Sequence, residues 1–236
     1  MKNRVALVDC RICEESVAAL ISRGYFVFKM PPFPSLSSCV ESHPDMLTFV
    51  ADGKLITHRD YYSGNVELFS KIEKATGISI VTTEEDIGED YPHDILFNAF
   101  LHGKDIFGRV DRLSMLVREL ERKGYRLHNV RQGYAACSCA EVGNGVITAD
   151  ATLYRAFCER GIPALAIENG DIALFFHDYG FIGGASGYED GVLYLNGDIE
   201  THRNAKEIKD FVRSMGCSLV CLCDGPLTDV GKIIFI

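Results

Sequence analysis

Apolar and polar residues follow a repeating pattern along the chain, and its clearest copy is residues 143–168. An Asn-Gly turn precedes an apolar strand at residues 146–148, a helix begins near Asp150, and Gly161 separates that helix from a second apolar strand. Asp150 suits the helix N-cap because its carboxylate can accept from free N–H groups of the first turn. Gly161 suits the left-handed residue that follows a helix. The segment therefore predicts a strand, a helix and a returning strand.

Two series of glycines mark further copies of this unit. Glycines of the first series follow a turn and open a short apolar strand: Gly53, Gly103, Gly145, Gly191 and Gly231. Glycines of the second series end a helix and open a strand: Gly24, Gly77, Gly124, Gly161 and Gly216. Amphipathic segments such as residues 66–75 and 204–215 lie between the series, with apolar residues at roughly i, i+3 and i+4. Each copy is predicted to hold a hairpin, a helix and a returning strand.

The two ends of the chain complement each other. The first strand, helix and Gly24 strand lack a hairpin of their own, whereas the Gly231 strand lacks a following helix. We therefore predict an α/β fold, a five-bladed pseudo-symmetric α/β propeller closed by the N- and C-termini, with residues 1–236 as a single domain. A doubly wound α/β sheet is the alternative, although that fold does not require a hairpin before every helix.

Composition narrows the choice of partners. The 236 residues are 47% hydrophobic and 24% charged, as in an ordinary globular protein with a substantial core. The formal charge of -9, without a cluster of Lys or Arg, argues against nucleic acid and anionic membranes as partners. The absence of a signal-like or membrane-spanning apolar run predicts a cytoplasmic protein, and nine cysteines fit reduced thiols. We expect a small-molecule ligand and no cofactor; the sequence leaves the oligomeric state open.

Five such units closed by both termini resemble the pentein superfamily of guanidine-modifying enzymes, which includes dimethylarginine dimethylaminohydrolase and agmatine deiminase. The resemblance covers nearly the whole chain. Its motifs are His93-Asp-Ile-Leu-Phe-Asn98, which resembles the family's Gly-Asp-Val-Leu-Phe segment, and Asp224-Gly-Pro-Leu-Thr, which resembles the stretch before the family's catalytic Cys. The chain is similar to the superfamily as a separate bacterial branch rather than as one of the named enzymes.

In those enzymes a Cys thiolate attacks the guanidinium carbon, a His moves protons and carboxylates hold the cation. This sequence departs from that pattern. The alignment places Asp229 where the nucleophile should be and Tyr134 near the position of the catalytic His. The resemblance therefore implies the fold and a cationic ligand, while ordinary guanidine hydrolysis requires a different nucleophile.

Residues that open the first strand of each blade should meet at the mouth of the ring, where they could form a binding or catalytic site. The candidate catalytic residues are Cys137, His93 and His43, and the candidate ligand-binding residues are Asp45, Asp94, Asn98, Ser138, Ser186 and Asp229. Capping of strand ends is the alternative role for these polar groups. Cys137 could be a displaced nucleophile activated by His93 or His43, or a small apolar residue buried against the neighbouring blade.

Other motifs favour structural roles. Cys10-Arg-Ile-Cys13 has the spacing of half a zinc site but lacks a second pair of ligands in the sequence. His43 and Asp45 could join His93 and Asp94 in a metal site, yet capping or cation binding is favoured, so no metal is predicted. Arg11 and Arg109 could each hold a ligand carboxylate or form an ordinary ion pair. Cys221 and Cys223 alternate on an apolar strand and are predicted to face the core.

Three functions fit these observations. The first is binding of a small cationic, guanidino or amino-acid-like ligand by Asp45, Asp94 and Asp229. The second is an enzyme that acts on C–N bonds with Cys137 as the relocated nucleophile, or with a water activated by His93 or His43. The third and weakest is a docking platform for a protein partner, as in the ribosome anti-association factor that shares the pentein fold.

Overall fold

A computed structural model describes residues 3–236 of the chain. In chain order its strands are β1 (Arg4–Asp9), β2 (Tyr25–Met30), β3 (Thr48–Ala51), β4 (Lys54–His58), β5 (Ser79–Thr83), β6 (Phe100–His102), β7 (Asp105–Gly108), β8 (Arg126–Asn129), β9 (Cys139–Val142), β10 (Gly145–Thr148), β11 (Ala164–Ala166), β12 (Ala173–Leu174), β13 (Ser186–Glu189), β14 (Val192–Leu195), β15 (Ser218–Cys221), β16 (Thr228–Asp229) and β17 (Ile234–Phe235). The helices are α1 (Glu14–Ser22), α2 (Pro44–Leu47), α3 (Arg59–Gly64), α4 (Val66–Thr76), α5 (Met115–Arg118), α6 (Ala135–Ser138), α7 (Ala151–Cys158) and α8 (Ala205–Ser214), with 3-10 turns at Glu119–Lys123 and Ile199–Thr201.

One sheet pattern recurs through residues 3–236. The three-stranded sheets that share it have the strand orders β3-β4-β5, β6-β7-β8, β9-β10-β11, β13-β14-β15 and β17-β1-β2. In each sheet the first two strands are antiparallel, and the third strand runs parallel to the middle one. A parallel strand cannot be reached by a tight turn, so helical segments cross between the middle and third strands. The predicted unit of hairpin, helix and returning strand is therefore present.

The unit at residues 143–168 forms as predicted. The Asp150 carboxylate accepts from the backbone N–H groups of Thr152 and Leu153, both at 2.8 Å, and so caps α7. Gly161 follows that helix with φ +68°, a left-handed conformation that suits glycine.

The sheet β17-β1-β2 joins the two ends of the chain. Ala6 of β1 lies opposite Phe235 of β17, and Leu7 lies opposite Ile234. Strand β1 is paired with β17 on one side and with β2 on the other, so it lies in the middle of its sheet and is buried. The C-terminal strand thus supplies the hairpin partner that the N-terminal segment lacks.

Apolar side chains of neighbouring sheets pack into a shared core. Val5 and Leu7 of β1 contact the same cluster as Leu55 of β4 and Phe69 of α4. The third strand of each sheet is less buried than the middle strand. Cys221 lies at the end of such a third strand, β15, and is exposed, so the prediction that it faces the core is wrong.

A short strand pair lies outside the repeated unit. Strand β12 is parallel to β16, with Leu174 opposite Asp229. This pairing places the segment of residues 170–184 beside Asp229, where it forms one wall of the site described next.

Candidate functional site

A cavity of about 430 Å³ opens among the segments that lead into the sheets. Its wall combines residues from the loop after β2, the loop before β6, helix α6, the segment of residues 170–184 and strand β16. The lining residues are Ser37, Cys39, Val40, His43, Glu89, Asp90, Tyr91, Asp94, Tyr134, Cys137, Leu174, His177, Asp178, Tyr179, Phe181 and Asp229. Its volume suits a small organic molecule.

Two four-residue helices position the floor of the cavity. Helix α2 leads directly into β3 and carries Asp45, and helix α6 leads directly into β9 and carries Cys137. Cys137 Sγ lies 2.9 Å from Asp45 Oδ2, and the side-chain amide of Asn98 donates to the same sulfur at 3.1 Å. Sequence reasoning placed these three residues at one site, and the structure brings them into contact.

Burial keeps the Cys137 side chain in its thiol form. Only 3% of the residue is exposed. Burial, followed by the nearby carboxylates of Asp45 and Asp229, raises the pKa of the Cys137 thiol well above its ordinary value. Burial likewise raises the pKa of Asp45. The thiol and carboxyl therefore form a hydrogen-bonded pair that holds protons firmly.

His43 lies beside this pair, in the turn before α2. A ring nitrogen of His43, a carboxylate oxygen of Asp45 and the sulfur of Cys137 lie within 4.8 Å of one another. Its ring faces two more carboxylates: Nε2 is 3.8 Å from Asp9 Oδ2, and Nδ1 is 4.0 Å from Asp229 Oδ1. Neither ring nitrogen has a hydrogen-bond partner among residues 3–236. Burial, assisted by the positive charge of Arg11, lowers the pKa of His43 to about 3, so the ring is neutral at pH 7.

Asp229 is held rigidly by backbone donors. Its Oδ2 accepts from the N–H of Phe181 at 2.9 Å, and its Oδ1 accepts from the N–H of Gly231 at 3.0 Å. Gly184 packs so closely against this carboxylate that an added Cβ would overlap it. Burial raises the pKa of Asp229 to about 7, and the neighbouring Asp45 and Asp9 contribute in the same direction. The group therefore changes its protonation near neutral pH.

Asp94 forms the opposite side of the floor. The Tyr134 hydroxyl donates to Asp94 Oδ2 at 2.6 Å, whereas Asp94 Oδ1 has no hydrogen-bond partner within the described chain. Burial raises the pKa of Asp94, and the Tyr134 hydrogen bond opposes that shift. Tyr134, which stands near the alignment position of the family's catalytic His, is thus a hydroxyl donor to a carboxylate.

Three sequence-predicted site residues lie away from this floor. His93 is exposed and is not one of the residues that line the cavity. Ser138 is buried beside a second cavity of about 230 Å³, and its hydroxyl has no partner in residues 3–236. Ser186 donates to the carbonyl oxygen of Gly183 at 3.1 Å, which is a local structural contact.

The two candidate arginines form ion pairs. Arg11 holds the buried Asp9 carboxylate through Nε at 2.9 Å and Nη2 at 2.6 Å. Arg109 contacts Asp111 at 3.3 Å on the surface. Both observations favour the structural alternative over capture of a ligand carboxylate.

Sequence reasoning missed the contributions of Asp9 and of the residue 170–184 segment. Asp9 directly follows a buried apolar strand, which is a signal that could have indicated it. His177, by contrast, meets Cys39 across the cavity wall, with Nε2 3.3 Å from Sγ. That contact depends on the β12-β16 pairing, and two-residue strands leave no usable pattern in a sequence.

The raised pKa of Asp229 predicts a pH-dependent stability. The unfolded carboxyl loses its proton near pH 4, whereas the folded one keeps it to about pH 7, so rising pH destabilises the folded chain between these values. His43 has the opposite effect. The unfolded ring takes up a proton below about pH 6.5, whereas the folded ring does so only near pH 3, so falling pH destabilises the folded chain. Wild type and Asp229→Asn share His43, so the difference between their free energies of unfolding isolates Asp229. We expect Asp229→Asn to gain stability relative to wild type as pH rises from 4 to 7. Chemical denaturation at several pH values measures the two free energies of unfolding. A difference between them that stays constant over this pH range would contradict the prediction.

Comparison with solved structures identifies the fold. The chain has the mixed α/β fold of the pentein superfamily, as predicted from the sequence. A dimethylarginine dimethylaminohydrolase variant from Pseudomonas aeruginosa complexed with citrulline is 9% identical, with 99% of each chain covered and a TM-score of 0.60. The amidinotransferase SxtG of the saxitoxin pathway from Microseira wollei is 10% identical, with 93% of this chain and 89% of that chain covered and a TM-score of 0.54. The N-terminal domain of the cyanobacterial arginine dihydrolase ArgZ, bound to product, is 12% identical, with coverage of 92% and 90% and a TM-score of 0.55.

Within that class, the chain belongs to the family of unknown function DUF6873, whose model matches residues 7–234. No curated protein matches the chain. Across residues 3–236, every helix is too short or too polar to cross a membrane. Identities near 10% establish the shared fold alone.

Proposed function

We propose that the protein binds a small organic cation, of the guanidino or amine class, in the cavity above Asp94 and Asp229. The observation that carries this proposal is uncompensated negative charge. The acidic side chains that line the cavity are Glu89, Asp90, Asp94, Asp178 and Asp229, and its wall includes neither Lys nor Arg among the described residues. Buried carboxylates without a cationic partner are costly, and a bound cation would offset that cost.

Asp94 offers the clearest contact for such a ligand. Tyr134 already donates to Oδ2, whereas the buried Oδ1 has no partner within the described chain, and a guanidinium or ammonium N–H that reached it would supply one. Hydrogen bonds between an ionised donor and a carboxylate are among the strongest in proteins. A cation would also favour the ionised form of both Asp94 and Asp229, which releases protons as it binds.

The distribution of charge favours a ligand that is cationic at both ends. Asp94 and Asp229 are buried at the floor, while Glu89, Asp90 and Asp178 are exposed at the rim. A ligand carboxylate would meet these acids and find no basic side chain in the wall. Agmatine, with a guanidinium at one end and an ammonium at the other, therefore fits better than arginine.

In this proposal, the five sheets are the blades of one ring closed by the two termini, with residues 1–236 as a single domain and the cavity on the axis. The β1-β17 pairing and the pentein fold support this arrangement. The neighbours also support the ligand class, because the described complexes and enzymes include citrulline, an amidinotransferase and an arginine dihydrolase.

Calorimetric titration with agmatine and with N-carbamoylputrescine tests the proposal. These molecules differ at one end, where a cationic guanidinium is replaced by a neutral urea of similar shape. We expect agmatine to bind about tenfold more tightly or better, because only its guanidinium forms a charged hydrogen bond with Asp94. Equal affinities, or binding of neither molecule, would reject the proposal.

A second candidate function is hydrolysis of a C–N bond with Cys137 as the nucleophile. The sulfur lines the cavity and lies near His43 and Asp45, which favours this role. The raised pKa of the thiol opposes it, because the thiolate is the reactive form. Attack would therefore require a bound cation to stabilise the thiolate.

Replacement of Cys137 separates the two functions. If the protein is a hydrolase, Cys137→Ser should abolish release of ammonia or urea from agmatine or arginine, and of methylamine or dimethylamine from methylated arginines, while agmatine binding persists. If the protein only binds, neither wild type nor variant should release product. Turnover that survives in Cys137→Ser would exclude Cys137 as the nucleophile. Cys39→Ser, which changes another cysteine that lines the cavity, is the matched thiol control.

A further inference from the structure

His43, Asp45 and Cys137 form a cluster with a nitrogen, an oxygen and a sulfur donor. Their ligand atoms lie within 4.8 Å of one another, and all three residues are buried. The donors come from two separate segments: His43 and Asp45 from the start of α2, and Cys137 from α6. Capping the starts of β3 and β9 does not require three different kinds of donor atom side by side.

Several of these donors have unmet bonding capacity. Both ring nitrogens of His43 and the Oδ1 atom of Asp45 lack hydrogen-bond partners in the described residues. A buried polar group left without a partner costs about 1–3 kcal/mol, so native proteins almost always provide one. An imidazole nitrogen without a hydrogen-bond partner can instead donate its lone pair to a metal ion.

We propose that His43, Asp45 and Cys137 bind a divalent transition-metal ion, with zinc as the best match. Zinc combines imidazole nitrogen, thiolate sulfur and carboxylate oxygen, and sites with three protein ligands keep a fourth position for water or substrate. His43 and Cys137 line the cavity, so the fourth position faces it. Metal binding requires both groups without a proton, so the thiol proton, and any proton on Asp45, leaves to solvent, and the thiolate and the Asp45 carboxylate together balance the two charges of the ion.

The surroundings supply the supporting contacts that metal sites use. The Asn98 amide donates to Cys137 Sγ at 3.1 Å and would stabilise the thiolate. Whichever His43 nitrogen binds the metal, the other faces the carboxylate of Asp9 or Asp229, at 3.8 or 4.0 Å. Carboxylates in that position orient a ligating imidazole and increase its basicity.

This inference goes beyond the proposed function and is independent of it. The metal would use Asp45, whereas the organic cation is proposed to contact Asp94. Metal binding is measured without any organic ligand, so failure of agmatine to bind would leave the metal proposal standing, and the reverse also holds.

Cobalt(II) is the probe, because cobalt bound to a thiolate gives a near-ultraviolet charge-transfer band as well as visible bands. We expect the full-length protein, treated with chelator and titrated with Co²⁺, to develop the charge-transfer band at one equivalent. Zn²⁺ should then displace the cobalt and remove the band. Cys137→Ser should lose the band, and Asp45→Asn should weaken Zn²⁺ affinity about tenfold or more in competition with a chelating dye.

Cys39→Ser is the matched control, because Cys39 lines the same cavity and contacts a different histidine, His177. It should retain both the band and the affinity. Circular dichroism verifies that each variant is folded, and Asp45→Asn provides the decisive comparison if Cys137→Ser does not fold. Absence of the band in wild type, its persistence in folded Cys137→Ser, or unchanged zinc affinity in Asp45→Asn would overturn the proposal.

Discussion

Gly183→Ala is expected to lower the free energy of unfolding by about 3 kcal/mol, the upper end of the usual effect of overpacking. A Cβ at Gly183 would lie within 2.5 Å of the carbonyl oxygens of Ala136, Cys137 and Cys139. These are backbone atoms of the segment that carries Cys137, so no side-chain rotation can relieve the overlap. The segment of residues 181–184 would have to move away, and with it the Phe181 N–H that holds Asp229.

Gly64→Ala is the matched control for this substitution. Gly64 is exposed at the end of α3, and an added Cβ would meet nothing within 4 Å among the described residues. Alanine also favours helix over glycine by about 0.5–1 kcal/mol, so this variant should be neutral or slightly more stable. Urea denaturation compares the two. A Gly183→Ala variant as stable as wild type would contradict the close packing on which the geometry of the cavity floor depends.

Asp94→Asn is expected to weaken agmatine binding about tenfold to a hundredfold, the loss that corresponds to one charged hydrogen bond. Asparagine has nearly the same shape, and its carbonyl oxygen can still accept from Tyr134. Its amide nitrogen would stand where Oδ1 now offers a free acceptor, and would face the ligand cation with a donor. Isothermal titration of both proteins gives the ratio of dissociation constants.

Asp178→Asn supplies the control, since Asp178 is an exposed carboxylate that lines the same cavity. Screening by water makes its contribution small, so affinity should change by less than about threefold. Wild-type affinity should also increase between pH 6 and 8, because the cation favours the ionised form of Asp229, whose pKa burial raises to about 7. If Asp94→Asn and Asp178→Asn lose the same amount of agmatine affinity, the overall negative charge of the cavity attracts the ligand, and the buried Asp94 at its floor makes no specific contribution.

Much of the fold could be predicted because each repeat obeys local rules. The Asp150 cap and the left-handed Gly161 are determined by a few neighbouring residues, and a left-handed glycine recurs before the third strand of the other sheets, at Gly24, Gly77, Gly124 and Gly216. The N- and C-terminal strands could be paired because each lacked one part of the repeated unit. Cys221 was misplaced because alternation along a strand does not reveal which strand lies at the edge of a sheet.

The candidate site could be predicted in part. Asp45, Cys137 and Asp229 were grouped because each stands at the start of a sheet or at the aligned position of the family nucleophile, and the structure places them near one another. His43 was chosen together with His93, and only the structure distinguishes the buried ring from the exposed one. Such distinctions depend on long-range packing, notably of the residue 170–184 segment, which no local pattern indicates.

A crystal structure of the protein with agmatine tests the central claim most directly. The proposal predicts density for the ligand in the cavity, with a guanidinium nitrogen about 3 Å from Asp94 Oδ1 and the ammonium end toward the exposed acids of the rim. A guanidinium bound outside the cavity, or held at the rim with Asp94 Oδ1 left unpartnered, would contradict it.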